Sequence, residues 1–176
     1  YMSAASVDLA LDTIESARLP FADRQPAYVL IELAATVAAP TMLSLFETVL
    51  GPAFEEGLVQ DAAMPTDEGK RAALWQLREA VVEAQRIGGV SIKHDIAVPI
   101  SAVPDFLRQA GDAVQRCLPG TRILPFGHLG DGNLHYNLMR PPAITDDEFR
   151  AQAPALTAAV HDVVDAFGGS FSAEHG

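Results

Sequence analysis

The sequence predicts an α+β domain, an antiparallel sheet with helices packed on it, on three observations. Stretches of helical period alternate with β-branched or alternating apolar stretches. Residues 122–139 hold two apolar runs about an Asp-Gly corner, which signals an antiparallel hairpin. Of the 176 residues 49% are hydrophobic, enough for a real core in a chain of single-domain size. No repeat, low-complexity run or linker divides it, so residues 1–176 read as one domain.

The elements follow in order. Tyr1-Met2-Ser3 leads at once into a helix over Ala4 to Ser16, closed by a proline-containing loop. "AYVLIELAAT", Ala27 to Thr36, is continuously apolar and reads as a buried strand. Pro40 and Thr41 open a helix carrying Met42, Leu45, Phe46, Val49 and Leu50, interrupted at Gly51-Pro52. Leu58 to Ala63 reads as a short strand. Thr66 is the N-cap expected for a helix to about Arg86, with Asp67 and Glu68 in its first turn, and Gly88-Gly89 ends it. "VSIKHDIAVPI" alternates, with Ile92, His94, Ile96 and Val98 on one face and Ser91, Lys93, Asp95 and Ala97 on the other. A helix follows from Ser101 to about Leu118, then paired strands over Arg122 to Leu129 and Asn133 to Met139. Thr145, backed by three acidic residues, starts one long helix to Gly168-Gly169, and Ser170 to Ser172 form a last extended piece.

Composition excludes several classes. A net charge of −11 and a pI near 4.7 argue against a nucleic-acid partner, which needs clustered Lys and Arg. A single cysteine, Cys117, rules out an intrachain disulfide framework and fits a packing role in a reducing compartment. No apolar run reaches the roughly 18 residues of a membrane span, and the N-terminus lacks a signal pattern. The expectation is a soluble, cytoplasmic domain. Both ends look abrupt, which suggests a piece of a longer chain.

The hairpin "GHLGDGNLHYNL" raises the functional question. With Asp131-Gly132 as the centre of a type I′ turn, Gly130 pairs with Asn133, Leu129 with Leu134, and His128 with His135. The two imidazoles would then share a face, with Cβ atoms roughly 4.5–5.5 Å apart, and could converge on one ion. Asn137 falls on that face, while Leu134 and Tyr136 point into the core. An ordinary Asp-Gly hairpin with two surface histidines remains open at this point. A metal site needs a third ligand, for which Glu174 is the best candidate. Two imidazoles and a carboxylate suit zinc, with manganese or iron as alternatives.

"FGHLGDGNLHYNL", followed by "GGSFSAEHG", resembles the C-terminal domain of FAD-linked oxidases. "LWQLREA" and "SIKHDIAVPIS" look like further blocks of that family in the expected order, so the likeness spans most of the chain. The family includes D-lactate dehydrogenase, the glycolate oxidase D subunit and D-2-hydroxyglutarate dehydrogenase. The resemblance implies a ferredoxin-like α+β fold and a divalent cation held at His128, His135 and Glu174. It implies that His175 stands near the substrate hydroxyl and Asn137 near its carboxylate. It also implies that an FAD-binding domain of the same parent chain precedes this region and is absent here. The partners that follow are a small 2-hydroxy acid, that FAD-binding domain and an unnamed electron acceptor; a homodimer is left open.

Arg78 lies at the edge of an apolar stripe formed by Leu74, Leu77, Val81 and Val82. By itself it reads as a snorkelling side chain or a structural ion pair, and Lys93 reads as part of a solvated Lys–Asp face. The resemblance instead matches both to positions that clasp a carboxylate of the hydroxy acid, the arginine bidentately. Relatives that oxidise 2-hydroxyglutarate tend to carry a threonine one turn after that arginine. Val82 stands there and cannot donate, which weakens the case for a dicarboxylate and favours lactate or another 2-hydroxy acid. His94 and His161 read as structural, and Trp75 as core.

The implied reaction is oxidation of a D-2-hydroxy acid to a 2-oxo acid, with hydride passing to flavin N5. An alcohol about as weakly acidic as water (~15.7) facing a histidine base near ~6.5 leaves a gap of ~9 units, roughly 12 kcal/mol. A cation that brings a bound hydroxyl towards ~7 removes most of it, which leaves His175 as a base matched to neutral pH. The rival expectation is a stand-alone metal- or metabolite-binding module without redox activity. The fragment by itself is expected to be inactive.

Overall fold

The computed structural model describes residues 1–34 and 39–171. Its strands are β1 (Met2–Ser3), β2 (Ala27–Tyr28), β3 (Ser91–Ile92), β4 (Asp95–Ala97), β5 (Arg122–Phe126), β6 (Asn133–Met139) and β7 (Ser170–Phe171). The helices are α1 (Ala4–Thr13), α2 (Ala39–Glu55), α3 (Glu68–Ile87), α4 (Val103–Cys117), α5 (Asp146–Ala151) and α6 (Ala153–Ala166). The strands form one sheet in the order β2-β1-β5-β6-β4-β7, with β3 pairing β6 in line with β4. Every described pair is antiparallel, as the α+β expectation requires.

Alternation along β5 and β6 splits the interior into two layers. Leu134, Tyr136 and Leu138 join Ile96 against Val103, Phe106, Ala110 and Val114 of α4 and Leu156, Val160 and Val164 of α6. On the opposite face, Leu124, Phe126 and Met139 meet Val7, Leu9 and Ala10 of α1 and Leu77, Ala80, Val81 and Ala84 of α3. The α3 positions recur at i, i+3, i+4 and i+7, one stripe of a helix. The first layer is sealed: Phe106 and Tyr136 are fully buried and meet edge to face at 5.4 Å.

Helix ends obey local chemistry. Asp67, rather than Thr66, caps α3 by accepting from the Lys70 N–H at 2.9 Å. Thr145 and Glu148 form a capping box at the start of α5. The single long helix expected from Thr145 is instead two, α5 and α6, because Pro154 has no N–H and its ring would strike the Arg150 carbonyl.

Other expectations are corrected. Residues 1–3 do lead directly into α1, which Ser3 caps, but Met2 and Ser3 also form β1, paired with β2 and, at Met2, with Phe126. The buried strand over Ala27 to Thr36 shrinks to Ala27–Tyr28. Val29, Ile31 and Leu33 beyond it are exposed, because β1 offers only two residues to pair at this sheet edge, and 35–36 lie outside the described residues. Leu58 to Ala63 is no strand: the segment pairs with none of the described strands, and its residues are exposed apart from half-buried Val59. Gly51-Pro52 does not break α2. The helix passes through Pro52 to Glu55, where the lost N–H costs one bond close to the end. Gly57, at φ +70°, then closes it, with Leu58 N–H reaching the Ala53 carbonyl at 2.8 Å.

Candidate functional site

The hairpin carries the main correction. Phe126, not His128, stands opposite His135, and Leu124 stands opposite Asn137. Residues 127–132 form a longer connection with a 3-10 turn at Leu129–Asp131, so no two-residue turn exists at Asp131-Gly132. Neighbouring strands capture the loop. Gly127 exchanges two backbone hydrogen bonds with Tyr1, each 3.0 Å, and the Gly132 carbonyl accepts from Val98 N–H at 3.1 Å. Gly132 needs its left-handed φ of +67°, and a Cβ there would sit 2.1 Å from the Val98 oxygen. The register differs from the expected one by two residues, which preserves the faces. His135 and Asn137 therefore still share one side of β6, while His128 moves into an exposed loop.

That side of the sheet gathers most of the expected residues. The row Phe126–His135–Asp95 crosses β5, β6 and β4. In the next row Leu124 faces Asn137. The pairs Ile92↔Leu138 and Asp95↔His135 bracket a continuous register that sets Lys93 opposite Asn137. Lys93 itself is exposed. Arg78, half-buried at the edge of the α3 stripe, holds its guanidinium 5.2 Å from the Phe126 ring centre. The His135 ring packs on the same phenyl with centroids 4.9 Å apart. Phe126 is thus a shared platform for a cation and an imidazole. The sequence places Phe126 in a strand of the hairpin but gives no sign of this role, which depends on Arg78 of the distant α3.

Asp95, which the sequence sets beside Lys93 on a solvated face, has a different role. It does not form a solvated face with Lys93: its carboxylate accepts from Asn133 Nδ2 at 2.8 Å and lies 3.8 Å from His135 Nδ1. Asn137, 6% exposed, donates through Nδ2 to Gln85 Oε1 at 2.8 Å. Val82, one turn beyond Arg78, is 46% exposed.

Arg78 and His128 both line a cavity of about 510 Å³, with Ile31, Trp75, Ile100 and Leu129 among its apolar walls. Trp75 is therefore not core, because its place on α3 turns it to this opening, where it is 38% exposed. His94 and His161 lie on the sealed side. His94 Nδ1 donates to the Tyr136 carbonyl at 2.8 Å and Nε2 meets Thr157 Oγ1 at 3.2 Å, so the neutral ring is satisfied at both nitrogens. Burial pushes its pKa down, opposed by the Tyr136 bond and aided by His161. His161 stacks on Phe171 at 4.0 Å.

Glu174 and His175 lie outside the described residues. Among the described residues, no group of three His, Cys, Asp or Glu side chains could hold a metal ion. His128 and His135 by themselves do not complete a cation site.

Comparison with known proteins gives a consistent picture. Residues 1–176 match the family described as FAD linked oxidases, C-terminal domain. D-2-hydroxyglutarate dehydrogenase of Xanthomonas citri pv. viticola is 36% identical over 173 residues, covering 96% of this chain and 36% of that protein. The protein of the same name from Stutzerimonas stutzeri is 37% identical over 159 residues, covering 89% of this chain and 33% of that protein. The mitochondrial D-2-hydroxyglutarate dehydrogenase of Arabidopsis thaliana is 30% identical over 176 residues, covering 97% and 29%. The chain thus spans about a third of the length of these curated relatives.

Proposed function

The chain belongs to the FAD linked oxidase C-terminal domain family, and from that premise we propose that it is the substrate-binding part of a flavin-dependent D-2-hydroxy acid dehydrogenase. The observation that carries the reading is the one sheet face on which Arg78, His135 and Asn137 meet around Phe126 and Leu124. Among hydroxy acids, 2-hydroxyglutarate comes first, because relatives matched over nearly the whole chain bear that activity in their names. Exposed Val82 offers no hydrogen bond, so a distal carboxylate would rest on Arg78 and Lys93. Lactate and glycolate are the competitors. The shared name of the relatives favours this reading over a stand-alone binding module.

The roles follow from side-chain chemistry. Arg78, placed over Phe126, would take a carboxylate through two parallel N–H bonds, and Lys93 would add a point charge. Asn137 would bind beside them, and His175 would accept the hydroxyl proton. FAD, held mainly by the rest of the parent chain, supplies the hydride acceptor. His128, His135 and Glu174 would hold a divalent cation, zinc ahead of manganese or iron, which when bound makes the substrate hydroxyl more acidic. Asp95, next to His135 Nδ1, suits the carboxylate that orients a ligating imidazole. No helix among the described residues is long and apolar enough to cross a membrane. A cytoplasmic setting belongs to the proposal, although the Arabidopsis relative is named as mitochondrial.

The test uses the full-length parent protein with its flavin. Mixed anaerobically with D-2-hydroxyglutarate, D-lactate or glycolate, its yellow absorbance should bleach, fastest with D-2-hydroxyglutarate. Bleaching fastest with D-lactate would reassign the substrate. No bleaching with any D-2-hydroxy acid would overturn the reading.

A further inference from the structure

Gln85 is out of place in the stripe that α3 buries. Its neighbours there are Leu77, Ala80, Val81 and Ala84, yet the glutamine is only 3% exposed. A leucine would fill the volume without desolvating an amide or freezing a long polar chain.

The side chain is satisfied through a chain of bonds with a fixed direction. Gln85 Nε2 donates to the Leu124 carbonyl at 3.1 Å. A carbonyl can only accept, so the nitrogen must face β5 and Oε1 must face away. Oε1 there meets Asn137 at 2.8 Å, and since it too can only accept, Asn137 must turn its Nδ2 towards it. Ser6 agrees: its hydroxyl donates to the Pro125 carbonyl at 3.2 Å and accepts from Ser3 Oγ at 2.9 Å. It then lies 3.5 Å from Gln85 Nε2 as an acceptor. The orientation of the Asn137 amide is therefore dictated by backbone carbonyls of β5, acting through Gln85.

We infer that Gln85 is a positioning residue for substrate binding. It holds the Asn137 amide in one sense, leaving one N–H and the carbonyl oxygen for a ligand on the face shared with His135. An asparagine free to flip would offer donor and acceptor in either order, while a locked one is organised before the ligand arrives. The inference rests on the proposed function, in which Asn137 binds substrate.

The experiment is a double-mutant cycle in the full-length flavoprotein with D-2-hydroxyglutarate as the probe. Asn137→Ala, Gln85→Leu and the double variant are compared for KM, kcat and Tm. Gln85→Leu should raise KM about tenfold, or about 1.4 kcal/mol, with kcat within about twofold. Asn137→Ala should raise KM at least as much, and the double variant should be no worse than Asn137→Ala. If leucine prevents folding, unbranched Gln85→Met takes its place. Effects on KM that multiply in the double variant would make Gln85 merely structural and overturn the inference. So would an unchanged KM in Gln85→Leu beside a raised one in Asn137→Ala. If Asn137→Ala leaves KM unchanged while His135→Ala abolishes turnover, the inference falls but the site stands. If neither variant affects turnover, the proposed function fails as well.

Discussion

The two faces of β6 are built from alternate residues of one strand, yet they behave as different materials. Leu134, Tyr136 and Leu138 are fully buried and apolar apart from one hydroxyl, sealed by α4 and α6. Asn133, His135 and Asn137, on the other side, are partnered by Asp95 and Gln85. The first face gains stability from contact area and shape, which is insensitive to direction. The second is held by bonds with one correct orientation each, which stabilise less but fix where donors and acceptors point. A face of that kind suits recognition, while its neighbour supplies the rigidity behind it.

The sharpest way to break the comparison is His135→Ala in the full-length protein. Turnover and bound divalent metal should both fall to background, with Tm shifted by no more than a few degrees. Retained turnover, with metal absent by elemental analysis, would remove the directional face from the chemistry. Phe106→Ala attacks the sealed face and should cost about 3–5 kcal/mol in denaturant unfolding, with KM unchanged in whatever protein remains folded. A raised KM there would mean the two faces are not separable.

His94 tests the sealed face by pH. Its folded-state pKa lies below the ordinary 6.5, so the unfolded chain takes up a proton first as the solution is acidified. The stability this group contributes is complete above 6.5 and is lost as pH falls through the lowered folded value. Denaturant midpoints measured from pH 8 downward should therefore drop below about pH 6.5, and His94→Gln should flatten that part of the curve. The smallest effect is expected at Tyr136. Its hydroxyl has no hydrogen-bond partner among the described residues, and burial drives its pKa above the usual tyrosine range. Tyr136→Phe should leave unfolding free energy unchanged or raise it by up to about 1 kcal/mol; a loss of more than that would reveal a partner for the hydroxyl.

Local rules were enough for much of the molecule. The helical periods of α3 and α4, the capping box at Thr145 and the parity of β6 all follow from neighbours within a few residues. The family blocks were legible differently, through the resemblance of their residues, since "LWQLREA" lies inside α3 and "FGHLGDGNLHYNL" spans the hairpin. Trp75, Phe126 and Gln85 were misread or unread, because each owes its role to an element far along the chain: the open cavity, the Arg78 guanidinium and the β5 carbonyls.

Sequence by itself determined the α+β class and which side of β6 each residue faces, since periodicity and turn chemistry act at short range, and the resemblance of its motif blocks pointed to the family. Tertiary structure decided the register of the hairpin. The Asp-Gly pair favours a two-residue turn, but the backbone of Tyr1 on one side and Val98 on the other takes up the loop's hydrogen bonds, and a local preference worth a fraction of those bonds gives way. The same long-range pairing made a strand of Met2–Ser3 and placed Phe126, rather than His128, beside His135.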